Sequence, residues 1–152
     1  IAFRDTVPCD LEAALSSALP PGLDRSAIKR LTLRFHTANM LPFGLAWQAA
    51  FLDAGGIPID SLFLEAATIL EPATTEPSGA FDVPTAPGIR TWDLVFEGAA
   101  ADELVQAGVS SLAIELTGCT PGAVAERPVA FGPGMELSVH LALRVDVNPF
   151  QP

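Results

Sequence analysis

From Leu137 to Val147 apolar and polar positions alternate for eleven residues without a break, leucines and valines at the odd positions and Ser138, His140, Ala142, Arg144 and Asp146 between them. Successive side chains on a strand point to opposite faces, so this run predicts a strand with one face buried and the other turned to water. A one-sided strand belongs to an antiparallel sheet, since parallel sheets are covered on both faces. The same period returns in 30–37, where Leu31, Leu33 and Phe35 alternate with Thr32, Arg34 and His36. It returns again in 89–97 with Trp92, Leu94 and Phe96, and in 112–118 with Leu112, Ile114 and Leu116.

Between Gly44 and Asp53 the residues Leu45, Trp47, Ala49 and Phe51 share a face, and Asp53-Ala54-Gly55-Gly56 predicts a hairpin turn leading to a return strand over 57–64. Another strand is expected at 66–70. Two places carry a helical period instead. Asp10 is a candidate N-cap ahead of Leu11, Ala14, Leu15, Ala18 and Leu19, stopped by Pro20-Pro21-Gly22, and 99–107 forms a two-turn helix closed by Gly108. Pro72, Pro77, Pro84 and Pro87 among threonines make 71–88 a long loop with a short edge strand at 80–83. The expected fold is mainly β: a single antiparallel β-sandwich domain over 1–152, with seven or eight strands, two short helices and an extended N-terminal arm at 1–8.

Composition bounds the function. The chain of 152 residues carries 8 basic against 18 acidic residues, a formal charge of −10. Such a surface repels phosphate backbones, so nucleic acid is not an expected partner. No stretch approaches the roughly 20 apolar residues that cross a bilayer as a helix. Cys9 and Cys119 lack zinc-ligand spacing, and two readings stand: unrelated small apolar residues, or a disulfide formed in an oxidising compartment.

Chemistry-bearing constellations are sparse. His36 and His140 occupy outward positions on two strands, and would meet only if those strands were neighbours in register; they are taken as surface or interface residues. Asp53, Asp60 and Glu65 cluster around one hairpin without the alternating ligand loop of a calcium site, which assigns them to the turn. Nucleophile-elbow, phosphate-loop and dinucleotide motifs are absent. No catalytic residue, metal ligand or cofactor is nominated, and the protein is not expected to be an enzyme. Phe43, Trp47, Phe51, Trp92 and Phe96 fit either a packed interior or the lining of a pocket between splayed sheets.

Three segments together resemble a β-sandwich module of exported proteins of the Bacteroidota and their relatives: Leu31-x-Leu33 through Asn39-Met40-Leu41-Pro42, Phe51-Leu52-Asp53-Ala54-Gly55-Gly56 through Asp60-Ser61-Leu62-Phe63, and the Leu137 to Val147 strand. A more distant likeness is to late-embryogenesis-abundant-like sandwiches, whose Asn-Pro is adjacent where two residues separate Asn39 from Pro42 here. The first resemblance implies an extracellular or envelope location and a non-catalytic role. In that setting Asp5-Thr6-Val7 and Asp60-Ser61-Leu62 look like acceptor tripeptides for O-linked glycans, at Thr6 and Ser61. The expected function is a structural or assembly module, a subunit of a surface appendage or larger complex, with partners that are copies of itself or other envelope proteins. Its N-terminal arm, through Ile1, Phe3 and Val7, either joins a neighbour's sheet or, as a disordered terminus or a strand paired with its own domain, takes no part in assembly. The alternative is a lipid- or glycan-binding module.

Overall fold

A computed structural model describes residues 2–8, 10–23, 25–61, 68–119, 128–130 and 132–148. Among these the strands are β1 (Ala2–Pro8), β2 (Ile28–Asn39), β3 (Gly44–Leu52), β4 (Pro58–Ser61), β5 (Thr68–Leu70), β6 (Thr74–Ser78), β7 (Phe81–Ala86), β8 (Gly88–Glu97), β9 (Ser111–Cys119) and β10 (Leu137–Val147). The helices are α1 (Leu11–Ala18) and α2 (Ala99–Gln106). The protein is mainly β, and the strands form three antiparallel sheets. One runs β1-β9-β3-β4, with β5 beside β4 on the same edge of β3; the second runs β10-β2-β8; the third is the β6-β7 hairpin.

Alternation determines what each strand buries. Leu31, Leu33 and Phe35 on β2, Trp47, Ala49 and Phe51 on β3, and Leu112 and Ile114 on β9 are all buried and belong to one cluster. Aromatic rings join the two larger sheets: Trp47 of β3 meets Phe35 of β2 at 5.0 Å and Trp92 of β8 at 4.7 Å, both edge to face, and Phe51 lies 6.1 Å from Phe96. T-shaped pairs put the positive ring edge against the negative face, which adds to the area they bury. Trp92, Leu94 and Phe96 on β8 and Val139, Leu141 and Leu143 on β10 pack on this cluster but stay half-buried, because both strands sit at the ends of a three-stranded sheet.

The helices close the open ends of the core. The Asp10 carboxylate accepts the Ala13 N–H at 2.8 Å, as an N-cap does, and Leu11 and Leu15 are buried. α2 begins at Gly98 without a side-chain cap, buries Ala101 and Leu104, and is followed by Gly108 at φ +68. A left-handed residue just beyond the helix is the common helical stop.

Two expectations are corrected. The segment 71–88 is a hairpin rather than a loop: Ser78 pairs with Phe81, and Gly79 and Ala80 form its two-residue turn. Gly79 has φ +63 while no non-glycine residue among those described has a positive φ, the sign pattern of a type II′ turn, whose twist suits a two-stranded ribbon. A two-stranded ribbon tolerates proline because each strand has an edge that donates nothing. The 1–8 arm is not an unpaired extension. It is strand β1, paired with β9 of the same chain from Ala2 opposite Thr117 to Pro8 opposite Ser111. The even spacing of Phe3 and Val7 matches Leu116 and Leu112 across the ladder, so the pattern that suggested a neighbour's sheet is met by the chain's own.

Candidate functional site

The crossing from one large sheet to the other is organised by Asn39, the last residue of β2. Its side chain is fully buried. The amide nitrogen donates to the carbonyls of Phe43 and Glu71, both at 3.0 Å, and the amide oxygen accepts the Leu41 N–H at 3.0 Å. Asparagine is suited to this because it offers two donors and an acceptor on a short stem and forms its own turn two residues on. The Asn-x-x-Pro signature is therefore a structural clamp. Asp53 does the same for the next turn, its carboxylate accepting the Gly55 and Ile57 N–H groups at 2.8 Å each.

The outer face of the β10-β2-β8 sheet carries rows of polar side chains set by the register. Arg34 and Asp93 are opposed and form a forked pair at 2.8 and 2.7 Å; Arg30 and Glu97, also opposed, pair through one carboxylate oxygen, and Arg144 reaches Asp146 at 3.0 Å. The hydrogen bond from Arg34, reinforced by the nearby positive charges of Arg34 and Arg144, holds the Asp93 carboxyl below the usual aspartate range against the opposing effect of desolvation. The same bond raises Arg34. In the next row His140, His36 and Thr91 stand side by side on the three strands. The imidazole rings are 6.3 Å apart, and His36 Nδ1 lies 2.8 Å from the Thr91 hydroxyl. The register that the sequence left open thus does bring the two histidines together.

A cleft of about 570 Å3 opens between the sheets where α1 crosses them. Leu33, Phe35, Leu112 and Ile114 form its buried part, Val139, Leu141 and Leu143 of β10 a half-buried side, and Asp10 stands at its rim. The interior is therefore packed around Trp47 and hollow beside β10. Neither reading of the aromatic residues holds alone, since the rings fill the packed half and aliphatic side chains line the hollow.

Elsewhere, apolar side chains are exposed at strand edges. Ile89 is 63 % and Val95 52 % exposed on β8, and Ile57 and Ile59, before and within β4, are 64 % and 36 % exposed. Among the described residues β8 pairs only with β2 and β4 only with β3. Since β3 packs against β8 through the Trp47–Trp92 and Phe51–Phe96 contacts, both open edges lie on one side of the molecule. Sequence patterning missed this surface because an outward Ile or Val in an alternating strand has no local signature; only the strand order identifies the edge.

The remaining nominated residues are dispersed. Ile1 and Cys9 lie outside the described residues, as does Glu65. Pro8, next to Cys9, is opposite Ser111, whereas Cys119 ends β9 eight residues away. At about 3.3 Å per residue Pro8 and Cys119 lie roughly 26 Å apart along the ladder, while the Cys9–Cys119 pairing itself involves Cys9, outside the described residues. Thr6 is in β1 opposite Ala113, and Ser61 is exposed at the end of β4 opposite Ala50. Asp60 accepts the Ser61 N–H at 2.7 Å. Among the described residues no three His, Cys, Asp or Glu side chains gather into a metal site, and no helix is long and apolar enough to cross a membrane. No family model and no curated protein sequence matches the chain.

Proposed function

We propose that this chain is a non-catalytic structural module of an exported or envelope assembly, a β-sandwich formed by the two larger sheets that joins its neighbours along the β4/β8 side. The observation that carries the reading is the coincidence of exposed apolar side chains with open strand edges: Ile89 and Val95 on β8, Ile57 and Ile59 at β4. An open edge offers a row of backbone donors and acceptors, and proteins that remain single blunt it with charge, proline or a bulge. β4 has Pro58 and a register shift against β3, whereas β8 has no proline and an unbroken register with β2, which makes β8 the more open of the two. Asp93 and Glu97 reach inward to Arg34 and Arg30, so two of its charges are drawn away from the edge. An added strand would bond to β8 while its apolar side chains cover Ile89 and Val95. The envelope setting is supported by the resemblance of the Asn39–Pro42 and Asp53–Ser61 segments to an exported module, and there glycans on Thr6 and Ser61 would belong.

The test is particle mass by light scattering across a wide concentration range, for the native chain and for Ile89→Lys/Val95→Lys. Association that the double variant abolishes is the expected result. A chain that stays monomeric throughout, or associates equally well with both lysines present, removes β8 as the connector.

A second reading, a carrier of a lipid or other apolar ligand, has its own observation in the cleft beside β10, whose volume falls within the usual 300–1,000 Å3 of ligand sites. Native mass spectrometry of the chain from its own host separates the two. A retained apolar molecule, lost in Leu141→Arg, supports the carrier.

A further inference from the structure

We propose that His36 and His140 form a two-imidazole site for a divalent transition metal, a clip across β2 and β10 on the outer face of the sheet. The two residues are directly opposed in the antiparallel register, the closest approach two side chains on neighbouring strands can have. Their rings are 6.3 Å apart at 38°. Two metal–nitrogen bonds of 2.0–2.1 Å at a tetrahedral angle place ring centroids about 5 Å apart, so a small rotation of two exposed side chains closes the site.

One ring is already oriented. His36 Nδ1 lies 2.8 Å from the Thr91 hydroxyl, and when Nδ1–H donates to that oxygen the lone pair is on Nε2, the nitrogen left for a metal. A ligating histidine commonly has its second nitrogen held in this way. The neighbouring row explains which metals fit. Asp93, on the same face of β8, is bound in a fork by Arg34, so its carboxylate is committed and the site offers nitrogen ligands only. Imidazoles without carboxylates favour copper, nickel and zinc over magnesium and calcium, and water completes the coordination.

The test uses the tag-free chain with Cys9→Ser and Cys119→Ser, so that thiols do not compete, titrated with copper and zinc sulfate by calorimetry and by the histidine ring resonances. The expected result is one saturable site whose spectral changes centre on His36 and His140. Either His36→Gln or His140→Gln should weaken binding by roughly tenfold or more, with a smaller loss in Thr91→Val, and magnesium sulfate should produce no response. Both histidines are exposed, so these variants should keep the fold, checked by unchanged thermal unfolding without metal. No saturable binding, or equal affinity in the histidine variants, overturns the site.

Discussion

Asn39 and Gly88 are opposed in the β2–β8 register, and the carbonyl of Glu71 is held between their roles: it accepts a hydrogen bond from the Asn39 side chain at 3.0 Å and lies 2.2 Å from where a Cβ on Gly88 would stand. The asparagine draws the 71–73 strand-to-strand passage against the sheet, and the glycine makes room for it. Gly88 is thus required by a close approach and not by its own dihedrals, since its φ is not in the left-handed region.

Gly88→Ala should therefore destabilise the protein. The new methyl meets the carbonyls of both Glu71 and Pro72, and backbone cannot swing aside as a side chain does. Overpacking of this kind costs about 1–3 kcal/mol. Asn39→Asp should cost a comparable amount, because a carboxylate cannot donate to Phe43 and Glu71, and a buried unpaired polar group is penalised by about 1–3 kcal/mol or more when charged. Urea titration measures both, and a midpoint unchanged in either variant contradicts the clamp.

Much of the architecture was legible where one residue type does one local job. The odd-position leucines and valines of β10, Leu31, Leu33 and Phe35 of β2, the Asp10 cap, the Asp53 turn and the Gly108 stop all work within a few residues of themselves. What escaped is non-local. Four prolines in 71–88 outweighed Gly79, whose positive φ makes the hairpin, and nothing within 1–8 says whether its partner edge is β9 or a neighbour's sheet. The outer-face rows were out of reach for the same reason: the Arg34–Asp93 pair and the His36–His140 pair each exist only once the register is set. The candidate edge at β8 was the least legible, since exposure of Ile89 and Val95 depends on the strand order, in which β8 pairs only with β2 among the described residues.

The Arg34–Asp93 pair makes a pH prediction with a defined sign. Asp93 is depressed in the folded protein, chiefly by its hydrogen bond to Arg34, so the pair supports the fold above the unfolded aspartate pKa of about 3.9 and that support is lost as pH falls through the lower folded value. Arg34→Gln should return the Asp93 pKa upward toward the unperturbed value, read from the carboxyl carbon resonance. An Asp93 titration that does not move shows that Arg34 is not the cause.

The strand register also predicts the redox state. With Pro8 and Cys119 at opposite ends of the β1–β9 ladder, alkylation of the unreduced, folded-then-denatured chain should label both cysteines, adding two adducts by mass. Finding none, with a mass two hydrogens lower, would establish the disulfide. Substituting both by serine should leave the unfolding midpoint close to native, whereas loss of a true bridge closing so long a loop costs about 4–5 kcal/mol in the chain-entropy model.

Removal of the N-terminal segment distinguishes a strand from a connector most directly. β1 pairs with β9 over seven residues, so deleting residues 1–7 strips one edge of β9 of its hydrogen-bond partners while leaving β3 on the other side. A connecting arm would behave differently, its loss ending assembly and sparing the fold. The truncated chain should unfold at lower denaturant, and its newly bare β9 edge should increase association rather than abolish it, because an unpaired edge is a template for another strand. β9 contributes Leu112 and Ile114 to the core, so loosening it should cost more than a frayed terminus does. Urea unfolding and light scattering of the truncated chain supply the two readings. Unchanged stability combined with loss of association would reinstate the arm, and place the connector at β1 instead of β8.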